Sequence, residues 1–355
     1  MENRWRVSVW TMALVAILAG LPFVVTGSHG RFLLTQILLY ALLAVSWNLT
    51  LGFGGIFNFA HIAFFAVGAY GAAIATTRWD ISPWLGILVA AVAGVVASTV
   101  TFIPVIRLRG LYLCLVTYVF GQLCVYIVLS QRAVTGGSEG LTGLPRLHWG
   151  EYSFLQDGRL GYYYVAAALF IVSVGGVWWI TRSSLGKGLQ ALRDNEEYAL
   201  SIGLPAHRVR YAAFAVSAAI AGATGGLYAL YFGVASPDLF GFGYMTLALC
   251  MVYLGGSGSV LGPALGAVAV TLLSDSLLTA GSWRPISTSI LILLVLWFIP
   301  RGLAGGLSDV VSLWRRWRSS EAGDATKPDE GGSSPKDGML ASAGANGTAE
   351  ADRQG

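Results

Sequence analysis

Residues 185–205 read LGKGLQALRDNEEYALSIGLP, a charged segment set between hydrophobic runs, and that setting decides the class of the whole chain. Leu185, Leu189, Leu192, Ala199 and Ile202 recur at helical spacing, so one apolar stripe runs beside a face carrying Arg193, Asp194, Glu196 and Glu197. The pattern predicts about one long helix, stopped by Gly203 and Pro205. Periodicity alone leaves two readings open, an ordinary amphipathic surface loop and a docking handle on a membrane protein.

Working outward, 55% of the residues are hydrophobic, 11% are charged and the mean hydropathy is +0.66. So few charges do not cover a soluble surface, and the chain belongs in a bilayer. A spanning helix needs roughly 20 apolar residues. The sequence is therefore expected to be an all-α integral membrane protein with about ten spans (range 8–10), at 7–26, 32–51, 57–77, 83–106, 110–130, 161–181, 211–232, 240–256, 262–280 and 286–300. Some of these helices are interrupted by glycines, which leaves the third and eighth starts ill defined.

Loop charge orients the spans. With the N-terminus in the cytoplasm, 13 Lys and Arg residues fall inside (Arg4, Arg6, Arg107, Arg109, Arg182, Lys187, Arg193, Arg208, Arg210, Arg301, Arg315, Arg316, Arg318). Only six fall outside: Arg31, Arg78, Arg132, Arg146, Arg159 and Arg284. The positive-inside rule then makes both termini and the 182–210 loop cytoplasmic. Arg4 and Arg6 before an apolar run also fit a secretory signal, but the run is long and no Ala-x-Ala site follows, so an uncleaved span is expected.

Three parts result: an N-terminal segment with the first span (1–30), a membrane body (31–307) and a cytoplasmic tail (308–355). From about 319 the tail is Gly- and Ser-rich, with seven acids against three bases, and is expected to be disordered. Removing its net −4 from the whole-chain +4 leaves a membrane part of +8, suited to an anionic lipid surface rather than to nucleic acid. Cys114, Cys124 and Cys250 lie within spans without metal-ligand spacing and read as small buried hydrophobes.

Two Gly-rich breaks are the best internal pointers to a transport path: LGFGGIFNFAHIAFFAVGAYGAA at 51–73 and LGGSGSVLGPALGA at 254–267. Each glycine costs a helix about 1 kcal/mol relative to alanine. Irregular backbone survives in a bilayer only where protein or a water-filled cavity satisfies it. Gly54, Gly55, Asn58, His61, Gly255, Gly256 and Ser257 are accordingly candidates for the pathway. Close helix crossing is the competing explanation at Gly68, Gly71, Gly262 and Gly266. For His61 the competing explanation is a hydrogen bond to a neighbouring carbonyl, and for Asp275 it is a local pair with Arg284. The long external loop, 131–160, carries Trp149, Tyr152 and Phe154, which read as headgroup-level anchors. Thr135, Gly137 and Glu139, beside Gly136 and Gly140, are candidates for an outer mouth or a partner contact.

Within 185–205, Glu197, Ala199 and Gly203 match the Glu-x-Ala-x-x-x-Gly core of the cytoplasmic coupling loop of bacterial ABC importer permeases, with Tyr198 where that loop usually has Ala. NLTLGFGGIFNFAHIAFFAVGAYGAA at 48–73, LRGLYLCLVTYVFGQL at 108–123 and TGGSEGLTGLP at 135–145 extend the match, as do SAAIAGATGGLYALYFGVASPD and the second Gly-rich break. Over roughly 30–307 the chain resembles the permeases of the high-affinity Leu/Ile/Val (branched-chain amino acid) ABC importers. The LRGLY block makes it similar to the LivM-type rather than the LivH-type subunit. Phe57-Asn58-Phe59 departs from a Leu-Ser-Leu-like run there.

That resemblance implies a bacterial inner-membrane, multi-pass transport subunit that is not itself an enzyme and binds no cofactor or metal. Its implied partners are a LivH-like permease, two cytoplasmic ABC ATPase subunits holding ATP and Mg²⁺, and an extracytoplasmic solute-binding protein. It also implies that Leu192, Arg193, Glu197, Ala199, Gly203 and Pro205 couple to the ATPases. Urea, short-amide and aromatic-acid importers share the same permease type. An ion-coupled secondary transporter is the alternative from another class, with interrupted helices in its favour. Against it stand the near absence of carboxylates within the spans and the coupling segment itself. No Gly-x-x-x-x-Gly-Lys-Ser/Thr motif occurs, so ATP chemistry is borrowed.

Overall fold

In the computed structural model the described residues are 16–25, 27–108, 110–149, 152–154 and 156–276. They form a helical membrane protein. The described part of the first helix, α1, is 16–24. It is followed by α2 (Ser28–Asn48), α3 (His61–Arg78), α4 (Pro83–Val105), α5 (Gly110–Ser130), the short α6 (Arg132–Thr135), α7 (Gln156–Arg182), α8 (Ser184–Asp194), α9 (Glu196–Ser201), α10 (Ala206–Phe232), α11 (Phe242–Gly255) and α12 (Gly262–Ser276). Five are long and apolar enough to span: α2 with its extension to Phe53, α4, α5, α7 from Arg159 onward, and α10. The expected spans at 32–51, 83–106, 110–130, 161–181 and 211–232 fall on these five. Those at 57–77 and 240–256 fall on α3 and α11, whose 18 and 14 residues are shorter than a usual span, and the one at 262–280 falls on α12, described as far as Ser276. The span at 286–300, half of the one at 7–26 and residues 277–280 of the ninth lie outside the described residues.

Two helices make the centre. α2 is buried on all sides from Ile37 to Asn48 and runs on into a π-helical stretch, Leu49–Phe53. A helix apolar all round belongs in a protein core or a membrane, and this one is in both. α10 is the second buried rod, and it meets α3 and α4 through glycines. A Cβ on Gly222 would land on the Ala90 carbonyl of α4, one on Gly68 on the backbone of Gly222, and one on Gly225 on the Phe65 carbonyl. Backbones therefore touch backbones in this trio, the contact that small residues permit between membrane helices. Gly262 and Gly266 serve α12 against α11 in the same way, with the Gly255 and Met251 carbonyls beneath them.

The ends of the rods are tied by polar groups. α10 stops at Gly233, whose φ of 74° gives the left-handed turn common at helix ends. Arg146 Nη1 donates to the Tyr231 carbonyl at 2.6 Å and the Leu230 carbonyl at 3.3 Å, placing a cation on the negative end of the helix. The loop carrying Arg146 also contributes Leu141–Thr142, which pairs antiparallel with Val234–Ala235. A second two-residue ladder joins His148–Trp149 to Tyr152–Ser153, so the mostly helical fold also carries two short antiparallel pairings, one within the 131–160 loop and one tying that loop to the residues after α10. Phe154 there packs edge-on against Trp84 and Tyr162 at 5.5 and 6.5 Å. Asp275 meets His29 Nε2 at 3.2 Å. The expected partner of Asp275, Arg284, lies outside the described residues.

Candidate functional site

The charged segment is two helices rather than one. Asn195 adopts an extended backbone (φ −154°, ψ 100°) between α8 and α9, and its Oδ1 accepts from the Tyr198 N–H at 3.0 Å. An asparagine that caps a new helix competes with continuation of the old one, which is why periodicity alone reads straight through it. Leu189, Leu192 and Ala199 are buried against the body. Ile202, expected on the same stripe, is 60% exposed, beside Tyr198 at 64% and Leu200. Glu197 is exposed. Gly203 turns the chain with φ +81° and has open space around it, and Leu204 and Pro205 lead into α10. Arg210 on α10 pairs with Glu196 at 2.9 Å, fastening α9 to the rod.

Arg193 links this segment to the first Gly-rich break. Its Nη1 donates to the Gly52 carbonyl at 2.9 Å, and its Nη2 sits 2.9 Å from Asp194. Gly55, with φ +64°, lies under the Arg193 stem, and a Cβ there would come within 2.6 Å of Arg193 Cγ. From Gly52 the connection continues through Asn48. Its Nδ2 donates to the Ser259 carbonyl at 2.8 Å and its Oδ1 accepts from the Gly258 N–H at 3.0 Å. The two breaks, some two hundred residues apart in sequence, are thus one structural unit, held by a buried amide and reached by Arg193. The sequence pattern does not single out Asn48, and it presents Glu196 and Arg210 only as surface charges. A polar residue inside an apolar run directly ahead of LGFGG was the available signal for Asn48.

A cavity of about 250 Å³ opens at this junction, lined by Gly54, Gly55, Ile56, Phe57, Leu108, Gly110, Leu113, Leu192, Arg193, Glu196 and Arg210. Of the pathway candidates, Gly54 and Gly55 line it. Gly255 and Gly256 are buried at the end of α11, and Ser257 is exposed beyond them. Asn58 and His61 are fully buried elsewhere. Asn58 Oδ1 accepts from the Ala60 N–H at 3.0 Å and sets the start of α3. His61 stacks on Trp47 at 5.2 Å, with Nε2 2.9 Å from Ser46 Oγ and Nδ1 3.3 Å from Ser217 Oγ. A neutral imidazole has one N–H, so one serine oxygen accepts from the ring while the other hydroxyl donates to its bare nitrogen. His61 is a fastener between α2, α3 and α10.

At the other end of the helices, Thr135 is buried, its Oγ1 donating to the Val128 carbonyl at 2.6 Å and accepting from the Gly137 N–H at 3.3 Å. Gly137 is buried against the Arg132 stem, and Glu139 is exposed. Among the described residues no group of three His, Cys, Asp or Glu side chains is placed to hold a metal.

Residues 31–300 match the family model described as the permease component of branched-chain amino acid transport systems. The chain is 29% identical over 317 residues to the high-affinity branched-chain amino acid transport system permease protein LivM of Salmonella typhimurium, covering 83% of this chain and 74% of that protein. It is 28% identical over the same length to LivM of Escherichia coli. It is also 25% identical over 288 residues to the permease protein LivH of Salmonella typhimurium, covering 75% of this chain and 91% of that one. No solved structure matches the chain.

Proposed function

This chain belongs to the family of permease components of branched-chain amino acid transport systems, and on that footing we propose how it works. It is the membrane permease subunit of an ATP-driven importer of branched-chain amino acids, a multi-pass protein of the bacterial inner membrane and a transport component rather than an enzyme. It pairs with a second, related permease, and the similarity to both LivM and LivH supports that pairing. Two cytoplasmic ATPases carrying ATP and Mg²⁺ and an extracytoplasmic binding protein complete the machine. About ten spans and cytoplasmic termini fit the charge count of the loops. The membrane body covers 31–307, preceded by the first span and followed by a cytoplasmic tail.

The observation that carries the mechanism is the bond from Arg193 to the Gly52 carbonyl. Exposed Tyr198, Leu200 and Ile202, beside Glu197 and the Gly203 turn, form the surface that seats in an ATPase groove. Closure of the ATPases displaces α8 and α9 together. Leu192 and Ala199 transmit the push to the body, and Arg193 pulls on the Gly52–Gly55 backbone. Asn48 carries that pull to Gly258, so both breaks move as one gate, a switch between two packed arrangements. Gly54 and Gly55 line the inner end of the route, and Thr135, Gly137 and Glu139 shape the outer approach.

Replacing Tyr198 and Ile202 by Asp tests the docking surface. Membrane insertion should persist, while copurification of the ATPases and L-leucine uptake should both be lost. Normal uptake by the double variant would remove this surface from the mechanism.

A further inference from the structure

α5 is a membrane-spanning helix that the described fold scarcely covers. Its buried residues are Thr117, Cys124 and Val128, and 17% of its best spanning window is buried, against 39% for α4. Between its ends the outward residues of α4 are Leu88, Val92, Val96 and Val100, all aliphatic, as lipid contact requires. α5 differs. Cys114, Tyr118, Gln122, Tyr126 and Ser130 recur every fourth residue from one end of the helix to the other. Such a row is a continuous ridge on a helix surface, winding slowly about it. None of the five is buried, and Tyr126 is 71% exposed. Beside it runs an aliphatic ridge, Leu111, Leu115, Val119, Leu123 and Ile127, each more than half exposed.

Among the described residues nothing hydrogen-bonds the Gln122 amide or the phenols of Tyr118 and Tyr126. Gln122 sits near the middle of the 21-residue helix, where an unpaired amide facing hydrocarbon is strongly disfavoured. The ridge also has functional ends. At its inner end Gly110 and Leu113 line the cavity that holds Arg193 and Gly55. At its outer end Ser130 runs directly into the loop bearing Thr135 and Glu139.

We propose that the Cys114–Ser130 ridge is one wall of the translocation path, closed on the other side by the partner permease, against which the Leu111–Ile127 ridge seats. This rests on the permease reading above and places the route along α5, between the cavity and the outer loop. The chemistry suits a zwitterion with an aliphatic side chain. Phenol, amide and hydroxyl groups offer single hydrogen bonds to its ammonium and carboxylate, and the neighbouring aliphatic ridge receives its side chain. No charge on the ridge holds the cargo fast.

The test uses the assembled complex in membranes. In a background with Cys114, Cys124 and Cys250 changed to Ala, single cysteines are placed by Tyr118→Cys, Gln122→Cys and Tyr126→Cys, with Val92→Cys and Val96→Cys on α4 for comparison. A small charged methanethiosulfonate reagent should label the three α5 positions at least about tenfold faster than the α4 pair, since it reacts only where water carries it. Gln122→Leu should insert, retain its ATPases and lose about five- to tenfold in L-leucine uptake, the scale of one lost hydrogen-bonding group. Gln122→Asn should recover most of that loss. Labelling no faster than on α4, or full uptake by Gln122→Leu, overturns the inference while leaving the permease reading intact. Failure of the unmodified chain to copurify with any ATPase overturns the permease reading, and this inference with it.

Discussion

Replacing Arg193 by methionine separates attachment of the ATPases from transmission of their motion. The variant keeps an unbranched stem to lie over Gly55 and removes the guanidinium that bonds the Gly52 carbonyl at 2.9 Å. A hydrogen bond from a charged donor contributes about 1.5–3 kcal/mol. The Arg193 side chain is 39% exposed, which places it at the low end, about 1.5 kcal/mol, or roughly tenfold in the balance between linked and unlinked arrangements. The pair with Asp194, itself 65% exposed, adds at most about 1 kcal/mol and holds no other element. The readout is the purified complex in liposomes, with ATP hydrolysis and L-leucine uptake measured side by side. Arg193→Met should retain the ATPases, because Tyr198, Leu200 and Ile202 are untouched, and should hydrolyse ATP at its basal rate. L-leucine uptake per ATP should fall about tenfold. An unchanged uptake-to-hydrolysis ratio would refute the Arg193–Gly52 linkage.

Gly222→Leu should part α10 from α4, since even its Cβ meets the Ala90 carbonyl, at a cost of at least about 1–3 kcal/mol; a lower melting temperature of the detergent-solubilised chain checks it. His61→Leu removes the ring contacts to Ser46 and Ser217 and should also lower that temperature, by an amount matching about 1–3 kcal/mol, with uptake per folded complex retained. Loss of uptake from a fully stable His61→Leu complex would return His61 to the pathway. A cysteine at exposed Ser184 should resist impermeant thiol reagents added to intact cells, whereas one at exposed Ser138 should react; the reverse result inverts the orientation.

Hydropathy made the long helices readable, because each is apolar over the length a bilayer demands, and 110–130 coincides with α5 to the residue. What hydropathy averages away is arrangement within a span. The ridge through Gln122 lies in a helix as apolar overall as its neighbours and disappears into the mean. The glycines were legible as breaks or as crossings, and choosing between them needed the facing backbone. Gly68 and Gly266 find a neighbouring helix there, whereas Gly55 finds an arginine from the 182–210 segment. His61 illustrates the same point for polar groups, since its partners Ser46 and Ser217 lie 15 and 156 residues away. Asn195 lies within an uninterrupted helical periodicity, and its extended backbone, which ends one helix while its side chain caps the next, has no counterpart in that pattern.

α10 begins one residue after Pro205 and ends where Arg146 grips its last carbonyls. Twenty-seven residues of unbroken helix reach about 40 Å, the thickness of a bilayer with its headgroups. Whatever presses on the 131–160 loop therefore holds one end of a stiff shaft whose other end the 182–210 segment grasps. By thermodynamic linkage the influence runs equally in both directions. In the importer proposed above, a protein that settles on the loop more firmly in one position of the shaft would make the ATPases bind more firmly in that position too, by the same factor. On that proposal, arrival of a loaded carrier at one end of the shaft is registered at the other before any cargo has moved.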